Sequence, residues 1–367
     1  MISEILPSAF AVAGSPAFTD TLRLADRVGT ARRVVLLLAD GLGYDLLPRA
    51  AESSPLLADV VAGRAGRLDE QSCALPSTTP TSIVSLGTGC APGEHGVLGF
   101  TLNVPGTDRV LTHIKWTTDP EPASWVPVPT VYTRARVPSA VVLPSMFRGS
   151  GLTQVAYGGA TFIGLARGDD HAVAVRHALD SGARLVVTYT SRVDVAAHTH
   201  GLASPQWAAA CRSAGELIER LVAALPTDTA LIVTADHGAL DVPPDGRLDV
   251  ADDARLSAGV RIVAGEPRFR HLHTVDGAGA DVHAAWSSIL GPRATVLTRE
   301  QAVESGMFGP VRDSHLERIG DVVMLSNDNC AVLATGHEPD EVARLIAFHG
   351  AATHAETAIP LITFGCD

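Results

Sequence analysis

Five short stretches of the chain carry side chains that could do chemistry, and each has a plainer reading beside it. The first is LPSTTPTSIVSLGTG, residues 75–89. Thr79 stands before Pro80 and an apolar-periodic run. Threonine is a good helix N-cap and proline is favoured at the first helical position, so the pattern predicts Thr79 at a helix N-terminus. Unpaired N–H groups and the positive end of the helix dipole gather there, which suits a phosphate; taken alone, the pattern is an ordinary cap. The second stretch is Asp194-Val-Ala-Ala-His198. Its i, i+4 spacing puts both side chains on one helical face, where they could ligate one cation or form an exposed pair. The third is TADHG, with Asp236 and His237 directly after an apolar run and Gly238 free to take an unusual backbone angle. The fourth is Asp40, at the end of VVLLLAD, where burial is costly unless the carboxylate is paired or ligated. The following GLGYDL lacks the third glycine of a dinucleotide loop, which sets that function aside. The fifth is His349 in FHG, with His354 as a rival on the same polar loop.

These residues need elements to position them. Short runs rich in Val, Leu and Ile at 33–39, 184–188, 229–235 and 321–325 predict strands buried on both faces of a mostly parallel sheet. Helical patterns lie between or after them at 80–87, 170–179, 205–224 and 339–348. Such alternation argues an α/β fold with helices on both faces of a central sheet. Three of the runs lead into Asp40, Asp194 and Asp236-His237. Sites in open α/β sheets gather beyond the carboxyl ends of strands, so three such clusters point to one shared site. Residues 241–311 are rich in Gly, Pro and Asp. They carry a strand pattern (259–264), a helix (281–290) and a strand-then-helix pattern (294–305), which reads as a small inserted β/α cap subdomain. The expected core is then 1–240 with 312–367. Segments 120–129 and 134–147 read as loop or lid, and no internal repeat is present.

Composition bounds the partners. The chain has 367 residues, 46% of them hydrophobic and 19% charged, which allows a sizeable core. The net charge is −12 with no basic block to offset it, so a nucleic-acid polymer is not an expected partner. The acidity fits an ordinary surface or carboxylates gathered around cations. Five cysteines, at 73, 90, 211, 330 and 366, make an odd count without a CxxC pair and predict buried thiols in a reducing compartment. The opening MISEILPSAFAVAG lacks the positive region of a signal peptide, and no apolar run reaches spanning length. The expectation is a soluble, cytoplasmic protein without a membrane partner. No pattern encodes oligomeric state.

Taken in order, the five segments resemble the alkaline phosphatase superfamily, and within it the nucleotide pyrophosphatase/phosphodiesterases and phosphonoacetate hydrolases. The resemblance rests on the strand-end Asp40, PSTT with Thr79, Ser85 and Thr88-Gly89. It continues through Asp194 with His198, Asp236-His237-Gly238, and His349-Gly350 ahead of Ile359-Pro-Leu-Ile. It spans about residues 33–362, and the interval to Gly89 selects Thr79 over Thr78. It implies an alkaline-phosphatase-like fold and two divalent metals, zinc or alternatively manganese, which suit oxygen and nitrogen ligands. By the same resemblance, Asp194, His198 and His349 hold one metal, and Asp40, Asp236, His237 and the Thr79 oxygen hold the other. Two cations about 4 Å apart can serve both the attacking and the leaving oxygen, and Thr79 would form a phospho-threonine intermediate.

The implied activity is hydrolysis of phosphodiester or pyrophosphate bonds in small nucleotide-type substrates. Two departures stand out. Ser82 occupies the position three residues after the nucleophile, where relatives often carry a phosphate-binding Asn. Thr79-Pro80-Thr81 replaces the common Thr-x-Pro, which shifts the expected helix start by a residue. No Cys-x-Pro-x-Arg segment is present, which disfavours a sulfatase. No Arg follows Thr79 until well past the helix to clamp a dianion, which favours diesters over a phosphomonoesterase; a phosphonoacetate-type phosphonate hydrolase stays an alternative. A reading from another class is a non-catalytic, metal-stabilised nucleotide-binding protein.

Overall fold

The structure, a computed structural model, describes residues 1–366. Seven strands build the central sheet: β1 (Arg33–Ala39), β2 (Arg67–Ser72), β3 (Ser139–Pro144), β4 (Thr161–Leu165), β5 (Leu185–Thr190), β6 (Thr229–Thr234) and, after a long excursion, the final strand Ala358–Phe364. The excursion forms a second sheet from β7 (Val260–Glu266), β8 (Phe269–Thr274), β9 (Ala294–Thr298) and β10 (Val322–Ser326), which makes the final strand β11. The central order is β2-β11-β6-β1-β5-β3-β4. β6, β1, β5, β3 and β4 run parallel to one another, and β11 runs antiparallel to both β6 and β2. β1 explains why this sheet is the core: from Val34 to Ala39 every side chain is fully buried, as a strand covered on both faces requires.

The helices that matter for the site are α1 (Ile2–Val12), α2 (Thr79–Thr88), α3 (Gly151–Tyr157), α4 (His171–Asp180), α5 (Arg192–His200), α6 (Pro205–Ala224) and α7 (Gly279–Leu290). α6 shows how locally some of them are written. Ser204 caps it by accepting from the Trp207 amide at 3.1 Å, and Pro205 opens it. Trp207, Cys211, Ala214, Leu217 and Leu221 then form its buried stripe, against α4 and α5. α2 packs between α1 and α3. Among the described residues, no helix is long and apolar enough to cross a membrane.

Three expectations change. The run at 321–325 forms β10, but in the antiparallel second sheet between β8 and β9, not in the parallel one. A continuous apolar run shows that both faces are covered without showing by which sheet: Val323 and Leu325 face the main core while Val322 and Met324 face α7. The excursion therefore continues past residue 311, and Ala331–Leu333 also pairs with Arg247–Asp249. Segment 134–147, read as a loop, contains β3, whose short SAVVLP run was hidden between prolines. Segment 339–348, read as a helix, is one turn (Asp340–Ala343) followed by Ala347–Phe348, which pairs with Leu240–Asp241.

Candidate active site

The parallel register places the acidic residues. Ala39 lies opposite Thr190, and Leu38 lies opposite Thr234, so β1, β5 and β6 end side by side. Asp40 follows β1, Asp236 follows β6, and Asp194 sits in the first turn of α5, just beyond β5. The Asp194 amide donates to the Asp40 carbonyl at 3.2 Å, and the Gly41 amide donates to Asp236 Oδ1 at 3.2 Å. Gly41 has φ +72°, and a Cβ there would come within 2.8 Å of the Asp194 Cβ, so glycine is needed for this approach.

Three histidines complete the cluster, each aimed by a backbone carbonyl. Nδ1 of His198 donates to Ala347 O at 2.8 Å, that of His349 to Ser77 O at 2.8 Å, and that of His237 to Gly238 O at 3.0 Å. A carbonyl only accepts, so each ring carries its proton on Nδ1 and turns the Nε2 lone pair inward, as metal-ligating histidines do. The Nε2 atoms of His198 and His349 are 3.3 Å apart, and Asp194 Oδ1 lies 3.3 and 3.9 Å from them. His237 Nε2 is 3.5 Å from Asp40 Oδ1 and 3.7 Å from Asp236 Oδ2, and its ring stacks on His349 at 3.6 Å.

Two groups have ligand atoms within 4.8 Å of one another: Asp194/His198/His349 and Asp40/Asp194/His237. Asp194 thus faces both groups, while Asp236 reaches the second only through Oδ2 because its Oδ1 is held by Gly41. One oxygen on each of Asp40, Asp194 and Asp236 is buried without a hydrogen bond. Such groups are costly unless a cation compensates them. Burial and the neighbouring Asp236 and Asp194 push the Asp40 carboxyl well above the usual range, and burial with the adjacent His237 and His198 holds His349 well below its own. The donor set and its orphaned oxygens fit divalent cations.

Thr79 Oγ1 lies 3.1 Å from His237 Nε2, at the edge of the second group. The helix start differs from expectation by one residue: Thr78 is the N-cap, Thr79 is the first helical residue and Pro80 the second. Thr78 is fully buried while Thr79 is partly open, which separates the two candidates by geometry. Against this geometry the sequence comparison is decisive. The pattern of the type I phosphodiesterase/nucleotide pyrophosphatase family matches residues 34–352.

The chain belongs to this family. It is accordingly a hydrolase, on the alkaline-phosphatase-superfamily branch that its motifs resemble. Among solved structures it is similar to murine ectonucleotide pyrophosphatase/phosphodiesterase 5, at 16% identity and TM-score 0.71, covering 90% of this chain and 87% of that one. The human protein of the same name matches with TM-score 0.70 at 16% identity over the same shares. So does an inactive threonine-to-alanine variant of the murine protein in complex with AMP. At this identity the structures bear on the fold. No curated protein matches the sequence.

Other polar residues lie at or away from the site. Ser82, expected as a phosphate donor, is fully buried, with its hydroxyl beside the Cys73 thiol. His354, the rival to His349, is exposed between Asp45 and Glu70. His95 is sealed against Ser85 at 2.9 Å, and His271 binds the Leu98 carbonyl. Tyr189 does join the site: its hydroxyl donates to Asp40 Oδ2.

Sequence reasoning missed Ser77 and Glu356. The Ser77 carbonyl aims His349, and its hydroxyl accepts from the Gly350 amide at 3.1 Å. Glu356 is fully buried. It binds the Ala351 amide and Thr353 hydroxyl on one side, and its carbonyl accepts from the Gly238 amide. It thereby ties the His237 turn to the His349 loop. A glutamate two residues before the apolar β11 was the available signal.

Proposed function

We propose that this hydrolase cleaves phosphodiester or pyrophosphate bonds of small nucleotide-type substrates, with Thr79 as nucleophile and two divalent cations as cofactors. One observation carries the reading: the partly open Thr79 hydroxyl stands 3.1 Å from His237 Nε2, beside three buried carboxylates that each keep an unbonded oxygen. Asp194, His198 and His349 would hold one cation, and Asp40, Asp236 and His237 the other. Zinc suits this oxygen and nitrogen set, and manganese is tolerated by it. When bound, such cations lower the pKa of a hydroxyl or water and neutralise charge on attacking and leaving oxygens.

The chain's own residues do the rest. The N-terminal turn of α2 presents Thr79 together with unpaired N–H groups, which receive phosphate oxygens. Thr79 Oγ1 attacks phosphorus, and the leaving oxygen departs from the opposite side. The phospho-Thr79 formed is then released by water. Tyr189 holds Asp40 through one oxygen and leaves the other free for a ligand role. AMP in the inactive murine neighbour supports a nucleotide-type ligand here.

Hydrolysis of bis-p-nitrophenyl phosphate and p-nitrophenyl phosphate tests this, with wild type and Thr79→Ala, in zinc, in manganese and in chelator. Chelator-sensitive diester turnover lost in the variant is the expected result. Full activity of Thr79→Ala would sink the reading, and a strong monoester preference would replace diesters by monoesters as substrates.

A further inference from the structure

A second cleft, of about 720 Å³, opens at the same end of the central sheet, beyond β3, β4 and β5. It reaches the site through Thr190, whose carbonyl accepts from the Asp40 amide at 3.0 Å, and through Arg192, two residues before Asp194. Arg167, Arg192 and Arg220 line it, with His171, Asp169 and Asp170. Both carboxylates are engaged locally. Asp169 accepts from the Ala166 amide at 2.6 Å, and Asp170 caps α4 through the Ala172 amide at 2.8 Å while lying 3.9 Å from Arg220. His171 is hydrogen-bonded to Thr188, and burial with Arg192 nearby holds it below its ordinary value. Among the described residues, no hydrogen bond or ion pair engages the guanidinium of Arg167 or Arg192. Met146, 84% exposed, stands at the rim beside Phe147, whose ring meets Tyr189 edge-on at 6.2 Å.

Two unpaired guanidinium forks in a concave wall are made for a phosphate or carboxylate, which they bind in bidentate fashion. We infer that this cleft is an anion subsite that takes a charged group carried by the substrate remote from the scissile phosphorus. The inference rests on the proposed phosphodiesterase reading and narrows its substrate class to esters bearing an additional anion. The apolar rim covers the organic body that joins the two charged parts.

The test uses two probes that differ by one remote phosphate, nicotinamide adenine dinucleotide and its 2′-phosphorylated form. Calorimetry on zinc-loaded Thr79→Ala gives Kd for each. The 2′-phosphorylated probe is expected to bind about tenfold tighter. Adding Arg167→Ala or Arg192→Ala should bring the ratio to about one and leave Kd for the other probe within about twofold. A ratio of one in Thr79→Ala, or a ratio that survives both substitutions, overturns the subsite. Sulfate that alters wild-type turnover of bis-p-nitrophenyl phosphate but not that of Arg167→Ala, with a Kd ratio of one, assigns the cleft to a free anion and overturns the substrate-borne group. Wild type without any diester turnover overturns the underlying function, and the subsite with it, on a readout separate from the Kd ratio.

Discussion

Buried charge is handled in opposite ways at two places in this molecule. Beneath the second sheet, Arg268 and Glu356 are both fully buried and face each other through two bonds of 2.7 and 2.8 Å. Arg270 binds Glu338 at 2.8 Å and the Val332 carbonyl. Every charge there has a protein partner. At the carboxyl edge of the central sheet, Asp40, Asp194 and Asp236 crowd together with no arginine or lysine among them, and one oxygen of each lacks a hydrogen bond. The first arrangement is complete without a ligand and holds the second in place, because Glu356 also anchors the loops carrying His237 and His349. The difference separates buried charges that the fold pairs internally from buried carboxylates that keep an unbonded oxygen.

Experiments can break this contrast. The largest effect is expected from Thr79→Ala: turnover of a diester should fall by at least about a thousandfold, since nucleophiles contribute on that scale. Zinc affinity and the unfolding midpoint should stay near wild type, and a collapse of either would assign Thr79 to the fold. Arg268→Ala should do the reverse and cost about 3–5 kcal/mol by leaving Glu356 buried and unpaired. Denaturant unfolding measures this, and a loss below about 1 kcal/mol would remove the pair from the scaffold. Tyr189→Phe should weaken metal affinity or activity by about 10–100-fold, the usual scale for a group holding a ligand carboxylate. An unchanged zinc titration and rate would show that Asp40 needs no such partner.

A smaller effect sharpens the comparison at Glu266, which sits between the two regions. It is buried, and burial outweighs the nearby Thr78 hydroxyl and Arg270 to push its carboxyl up to about 8 from an ordinary 4.5. Its folded value is raised, so the proton it keeps stabilises the fold fully below about 4.5, and that contribution is lost as pH rises toward 8. Glu266→Gln should therefore flatten the decline of the melting temperature between pH 5 and pH 8. Parallel curves for variant and wild type would show that Glu266 is charged throughout.

Much of this was legible in the chain because the signals are local. β1 is a seven-residue apolar run bounded by polar turns, and α6 carries its cap, its proline and its buried stripe within its own residues. The strand-end acids were readable for the same reason, since an Asp closing a buried strand has few other uses. Other features depended on distant partners. β10 reads as a strand but cannot name its sheet, and Ala347–Phe348 became a strand only by pairing with Leu240–Asp241, more than a hundred residues away.

By itself, then, the sequence determined the most local elements, such as β1 and α6, the order of the motif segments and the membership of a hydrolase family, since periodicity, capping and motif order are written along the chain. Tertiary structure alone decided that His349 and not His354 enters the site, that Thr79 opens where Thr78 is sealed, and that Ser82 is fully buried. It also decided that Asp194 faces both ligand groups and that Glu356 clasps the two histidine loops. The physical reason is direction. Spacing in sequence tells which residues share a face, but only packing between elements fixes where that face points and which carbonyl aims each ring.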